Sequence, residues 1–310
     1  MLNKLFSALL TSFLGASLLN VSKPILRTTE LIKTPAPTVR LLAFGDLMLG
    51  RDIERLMQQE GNDYPFRQIF GKSGIEESDY DLMMANLEGP IVTAKKRPDL
   101  KPFFAFKPEV VPKLLKNYGF DLLNLANNHT WDHGVAGWES SLRSLHEHGI
   151  NTIGHPKNMI FDSDILETEI KGIKIAFLGI NDTNFKVDWE AFKSKIKELD
   201  HRNDFVIINI HWGQEYQNSP NLHQRDKAHG IIDSGADLII GHHPHVIQAV
   251  EWYKGRAIYY SLGNFVFDQY FSDAVQKGLA IAITLKKSGK LNSKEIPIQL
   301  TKGQPSKIQS

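Results

Sequence analysis

Cysteine is absent from the 310 residues. That excludes disulfides, Cys-ligated zinc, thiolate catalysis and a lipid anchor on cysteine. Any metal must be held by His, Asp, Glu or Asn, so the 12 histidines carry most of the argument. A surplus of either charge is also missing. The chain has 36 Lys and Arg against 35 Asp and Glu, a formal net charge of +1. Without a basic excess there is no electrostatic footprint for nucleic acid. The hydrophobic share of 42% and charged share of 23% are those of an ordinary globular protein. The length suits one large α/β domain or two small ones.

An apolar run at the start, Leu5 to Leu19, is softened by Ser, Thr and Gly. It falls short of the about 20 residues that a spanning helix needs. With Lys4 as its positive flank, residues 1–22 read as a signal peptide or short membrane anchor. Gly15-Ala16-Ser17 is the nearest approach to a cleavage site, so cleavage stays open. The expectation is an extracytoplasmic protein, exported or membrane-anchored. The alternative is an amphipathic N-terminus on a cytoplasmic protein. Residues 23–38, ending in the Pro-containing stretch Lys33 to Thr38, read as a linker. The folded domain is expected over 39–300, with 301–310 a flexible, fraying tail.

Within the domain, short apolar runs end in polar clusters. Arg40 to Phe44 runs into Gly45-Asp46, and Leu82 to Ala85 into Asn86-Leu87-Glu88. Phe120 to Ala126 runs into Asn127-Asn128-His129, and Phe205 to Ile210 into His211-Trp212-Gly213. Ala236 to Ile240 runs into Gly241-His242-His243-Pro244-His245. Helical spacing recurs over Glu109 to Tyr118, Gly137 to His148, Trp189 to Leu199 and Leu222 to Ser234. The alternation predicts βαβ units and a largely buried sheet. Lys171-Gly172 and Lys254-Gly255 predict hairpins, and Leu279 to Leu285 a further strand. The whole reads as two packed sheets with helices outside.

Ligands in open α/β sheets bind beyond the carboxyl ends of the strands. One sheet edge can therefore gather Asp46, Glu88, Asn128, His211, His243 and His245. Carboxylate, amide oxygen and imidazole suit a divalent ion such as Mn, Fe or Zn. Two such ions can clamp a phosphoryl group and acidify the attacking water. Each cluster has a plainer reading. Gly-Asp can be a turn or helix cap, Asn-Leu-Glu-Gly-Pro a turn, and His211-Trp212 a satisfied core pair. Three imidazoles within four residues at a strand end have no cheap packing explanation, and metal is the better reading there.

The ordered set FGDLMLGR, NLEGPI, LANNHTWDHG, IHWGQE, GHHPHVIQ and SLGNFVFDQ resembles the CapA, or capsule-synthesis, branch of the metallophosphoesterases. The similarity runs from about Val39 to Leu285. It implies a four-layer α/β/β/α sandwich. It also implies a site with Asp46, Glu88, Asn128, His211, His243 and His245 as metal ligands, Glu88 bridging. His129 would protonate the leaving oxygen, and Asp132 would orient His129 or join the site. The wider superfamily has Asp-x-His in its first motif; here Met48 stands where the His would be. His242 falls outside the pattern and is expected to be a neutral loop residue. Arg51 either holds an anionic group or lies on a solvated face. Asn264 either hydrogen-bonds a ligand or shapes a turn. Trp131, Trp138 and Phe265 read as wall or core.

Two functional readings follow. In the first, two divalent ions activate water against a phosphoester or a polyglutamate-linked substrate, with His129, Asp132 and Arg51 as the catalytic groups. In the second, the chain is a non-catalytic, membrane-associated factor that binds or exports an anionic capsule polymer. Both imply an anionic small molecule or polymer as partner, beside a capsule synthase complex at the membrane. A soluble nucleotidase or phosphodiesterase with these motifs by ancestry is a third possibility.

Overall fold

The computed structural model describes residues 37–71, 74–93 and 104–308. The expected leader over 1–22, the location it implies and most of the expected linker lie outside the described residues. Among the described residues no helix is long and apolar enough to cross a membrane.

The first sheet holds β1 (Thr38–Leu47), β2 (Leu82–Leu87), β3 (Phe120–Asn124) and β4 (Asn151–Ile153). The second holds β5 (Ile165–Ile170), β6 (Ile173–Asp182), β7 (Phe205–Trp212), β8 (Leu238–His242), β9 (Val250–Tyr253) and β10 (Arg256–Tyr259). The chain then returns to the first sheet as β11 (Asn264–Val266), β12 (Lys277–Lys286), β13 (Leu291–Thr301) and β14 (Gln304–Lys307). The strand orders are β14-β13-β12-β1-β2-β3-β4, with β11 beside β1, and β5-β6-β7-β8-β10-β9. The helices are α1 (Arg51–Glu60), α2 (Val111–Asn117), α3 (Gly134–Glu147), α4 (Trp189–Asp200) and α5 (Leu222–Asp233).

The layering follows from side-chain alternation along the strands. Leu41 and Ala43 of β1 meet Ile175, Phe177, Ile207 and Ile240 of the other sheet in a central core. Leu42 and Phe44 point the opposite way, onto Ile53 of α1, Leu115 of α2 and Leu145 of α3. On the far side of the second sheet, Ile208 and Ile239 pack against Ile196 of α4 and Ile231 of α5. The result is the expected four-layer α/β/β/α sandwich. Phe265 stacks on Phe44 at 4.0 Å between ring centroids, a core role. The parallel run β1-β2-β3-β4 and the parallel run β6-β7-β8-β10 send their carboxyl ends into the polar clusters.

One expectation is corrected. Within the described residues, 301–307 do not fray: β14 pairs antiparallel with β13, and Gln304 is buried and donates to the Tyr64 carbonyl. The turn that makes this possible is Lys302-Gly303, with φ of 50° and 73°. Lys171-Gly172 and Lys254-Gly255 take the same left-handed pair of conformations in the two hairpins read from sequence. Such turns match the twist of antiparallel strands. Polarity hid the third one, because β14 is a short strand of sequence QPSK at the sheet edge.

Candidate metal centre

Asp46 and His211 lie within the final residues of β1 and β7, and Glu88 follows β2 directly. Asn128 follows β3, and His243 and His245 follow β8. Asp46, Glu88 and Asn128 thus come from the first sheet and the three imidazoles from the second. Gly241 of β8 lets the chain after β10 pass close beside it: a Cβ there would sit 2.1 Å from the Tyr260 carbonyl oxygen. Beyond it the backbone is strained, with His243 at φ 97° and His245 at φ 57°. Left-handed non-glycine residues of this kind concentrate at functional sites.

The six side chains converge. Ligand atoms of Glu88, His211 and His243 lie within 4.8 Å of one another, and so do those of Asp46, Glu88 and His245. Glu88 belongs to both groups, the placement a bridging carboxylate requires. Its nearest imidazole nitrogens are Nε2 of His245 at 3.6 Å and Nε2 of His211 at 3.9 Å, both beyond hydrogen-bond reach. Asn128 Oδ1 lies 2.8 Å from His211 Nε2.

The neighbours of these residues hold them in place. Asn86 donates to Asp46 Oδ1 at 2.8 Å and reaches His211 Nδ1 at 3.2 Å. Its own oxygen accepts from Asn124 and Asn127. The His243 backbone N–H donates to Asp46 Oδ2. Asn264 gives its amide hydrogens to Val275 O and Gln269 Oε1, so its oxygen faces His245 Nδ1 at 3.0 Å. That bond places the imidazole proton on Nδ1 and leaves Nε2 aimed at Glu88. Asn264 thus takes a role outside the two expected ones, fixing the His245 imidazole.

Burial sets the charges. It lowers His211 well below its ordinary value, the neighbouring His243 adding to the effect, and it lowers His243 to about 4. Both imidazoles are therefore neutral at pH 7, the form that can ligate a metal. Burial pushes Glu88 up to about 7. Burial also pushes Asp46 upward, but contacts with His242 and His245 outweigh it and hold the carboxyl well below the usual range. His245 is raised to about 9: burial opposes this, and the charges of Glu88 and Asp46 prevail.

The donor set fits a divalent cation. Both Glu88 oxygens are buried without a hydrogen-bond partner, as is His243 Nδ1. Buried carboxylates are otherwise paired or metal-bound. Oxygen and imidazole donors are the ligands of a hard-to-borderline ion.

His129 stands beside this group. Its Nδ1 is 3.0 Å from Asp132 Oδ2, which also accepts the Phe104 N–H. Asp132 therefore orients His129 and does not join the ligand groups. Burial works to lower His129, but the hydrogen bond to Asp132 and the charge of Glu88 outweigh it and raise it. Arg51 is placed differently from expectation. It forks onto Asp268, with Nε to Oδ2 at 3.0 Å and a second bond from Nη2. Its guanidinium sits over Phe104 at 4.9 Å. Asp268 also accepts the Asp52 N–H, so the pair ties the segment after β11 to the start of α1. The Arg51 charge is committed to a neighbour rather than offered to an anion.

Met48 is fully buried in the outer core, and its sulfur accepts the Gly50 N–H at 3.1 Å. His242 is not a loop residue. It ends β8, is buried, and places Nδ1 3.5 Å from Asp46 Oδ1. The sequence reading missed it because two histidines sufficed for the pattern. It missed Asn86 because Asn-Leu-Glu-Gly-Pro reads as a turn.

The bacterial capsule synthesis protein PGA_cap family matches residues 40–269 of this chain. The chain is 34% identical over 297 residues to the PGA biosynthesis protein CapA of Bacillus subtilis, covering 90% of this chain and 77% of that protein. It is 33% identical to the capsule biosynthesis protein CapA of Bacillus anthracis, covering 86% and 68%. A solved structure of a phosphatase from Mycoplasma pneumoniae superposes with a TM-score of 0.54 over 85% of this chain and 94% of that one, at 15% identity. That likeness concerns the fold alone. With a family match across most of the folded domain and relatives above 30% identity over most of both chains, the chain belongs to the bacterial capsule synthesis protein PGA_cap family.

Proposed function

We propose that this chain serves capsule polymer biosynthesis, of the poly-γ-glutamate type, as a metal-dependent hydrolase acting on a phosphoester or a polyglutamate-linked substrate. The observation that carries this reading is Glu88: a fully buried carboxylate without hydrogen bonds, shared by two groups of candidate ligands. Asp46, Glu88 and His245 would hold one ion, and Glu88, Asn128, His211 and His243 another. A divalent metal bound there supplies Lewis acidity toward a phosphoryl or carbonyl oxygen and lowers the pKa of water. The protein does the rest. Asn86 and Asn264 orient Asp46 and His245. Asp132 engages Nδ1 of His129, leaving Nε2 to deliver a proton to a leaving oxygen. Residues 1–22 would tether or export the domain, placing it beside a capsule synthase at the membrane.

The full-length protein, loaded with Mn, Fe or Zn in turn, should hydrolyse a phosphoester or poly-γ-glutamate, and His129→Ala should slow turnover ~100-fold or more. Inertness toward both substrates with every metal would sink the hydrolase reading. The buried Met48 at the position of a superfamily ligand favours a second reading, a polymer-binding or export factor. Capsule formation that survives His129→Ala but not gene deletion would select it. Cell fractionation tests the location.

A further inference from the structure

We infer that Glu215 is a ligand of the metal centre, its carboxylate completing from the solvent side the coordination that Met48 leaves one donor short. The inference rests on the metal-centre reading above and adds a residue to it. Glu215 belongs to the turn after β7 and is exposed. Its carboxylate oxygen nevertheless forms a third convergent group with His243 and His245, all ligand atoms within 4.8 Å of one another.

The turn is fixed to the ligands it faces. The Tyr216 N–H donates to the Pro244 carbonyl at 2.8 Å, binding the residue after Glu215 to the loop that carries His243 and His245. Tyr216 is held left-handed at φ 62°. Its hydroxyl accepts from Gln269 Nε2 at 3.1 Å, Gln269 Oε1 accepts from Asn264, and Asn264 accepts from His245 Nδ1. One hydrogen-bonded chain thus sets both the His245 imidazole and the backbone next to Glu215. A carboxylate that was merely a solvated surface group would need no such anchoring.

The interior supplies the independent observation. His243 is buried, and its Nδ1 has no hydrogen-bond partner. Asp46, Glu88 and His245 offer three donors where four-coordinate sites are common. Met48 cannot add a fourth, since its sulfur is occupied by Gly50 in the apolar core. Replacing an imidazole by a carboxylate adds a negative charge and a hard oxygen, which shifts preference toward ions such as Mn²⁺.

The test is a Mn²⁺ titration of the full-length protein by calorimetry, with free Mn²⁺ followed by its paramagnetic resonance signal. The parent is compared with Glu215→Gln, Gln214→Ala and Asp46→Ala. Glu215→Gln should lose one equivalent of Mn²⁺, or bind it at least ~10-fold more weakly, while Gln214→Ala matches the parent. Thermal unfolding in chelator should be the same for parent and Glu215→Gln, because the residue is exposed. If Glu215→Gln binds Mn²⁺ with the parent's stoichiometry and affinity while Asp46→Ala does not, the inference is overturned and the metal centre stands. A parent that binds no Mn²⁺ overturns both.

Discussion

Changing Glu88 to Gln should make the metal-free protein more stable than the parent and leave the protein in saturating metal less stable than the parent. In the metal-free chain Glu88 is fully buried. Both oxygens lack hydrogen bonds, and the nearest cationic group, His245, is at 3.6 Å. Its desolvation is therefore poorly repaid. A Gln amide of the same shape still lacks partners, so only the charge is relieved, about 1–2 kcal/mol. For a domain of this size that corresponds to a rise of roughly 2–8 °C in Tm. Saturating metal acts in the other direction. At 100 times Kd, one site stabilises the parent by about 2.7 kcal/mol, roughly 5–11 °C. The variant lacks the carboxylate common to both interior groups and should gain little. Differential scanning calorimetry in chelator and in excess Mn²⁺ reads all four values. A metal-free variant less stable than the metal-free parent would refute the unpaired-charge argument. An undiminished metal shift in the variant would refute the bridging role.

Asn264→Ala should weaken metal binding about 10–100-fold by freeing the His245 imidazole, while circular dichroism stays native; unchanged affinity would remove Asn264 from the site. Asp164 has a buried oxygen without a partner, and burial pushes it up to about 6. Its folded form therefore holds a proton that the unfolded chain has released, so its contribution to stability is present below about pH 4 and lost as pH rises through about 6. The loss should be about 1–2 kcal/mol once its part exposure is allowed for, and Asp164→Asn should flatten that limb in urea unfolding. Ending the chain at Leu300 removes β14 and the buried Gln304, and should lower stability by about 2 kcal/mol or more, read as a lower urea midpoint.

Much of the sandwich was legible in the sequence because buried parallel strands announce themselves. Leu82 to Ala85 and Phe205 to Ile210 are continuous apolar runs, and both are strands buried along their length. What escaped lies where that signal fails. β14 is a four-residue strand at the sheet edge with the sequence QPSK, so it resembles a polar tail. The convergence of Asp46, Glu88, His211, His243 and His245 was foreseeable because each follows or ends an apolar run. The contacts of Arg51 were not, because its partner Asp268 is 217 residues away, and no local pattern encodes such a pairing. Asn86 and His242 are of the same kind. Their roles come from which strand lies beside which, as when β7 and β8 set His211 opposite His242.

The division of the ligands between the two sheets has a mechanical consequence. A bound cation would act as a rivet through the sandwich, joining layers that also meet through apolar side chains such as Leu41, Phe177 and Ile207 and through hydrogen bonds such as His243 N–H to Asp46. Its affinity then reports the gap between the sheets. A substitution that swells or thins that central layer, far from any donor atom, should register first as a change in metal occupancy, because interiors are close-packed and pass strain along.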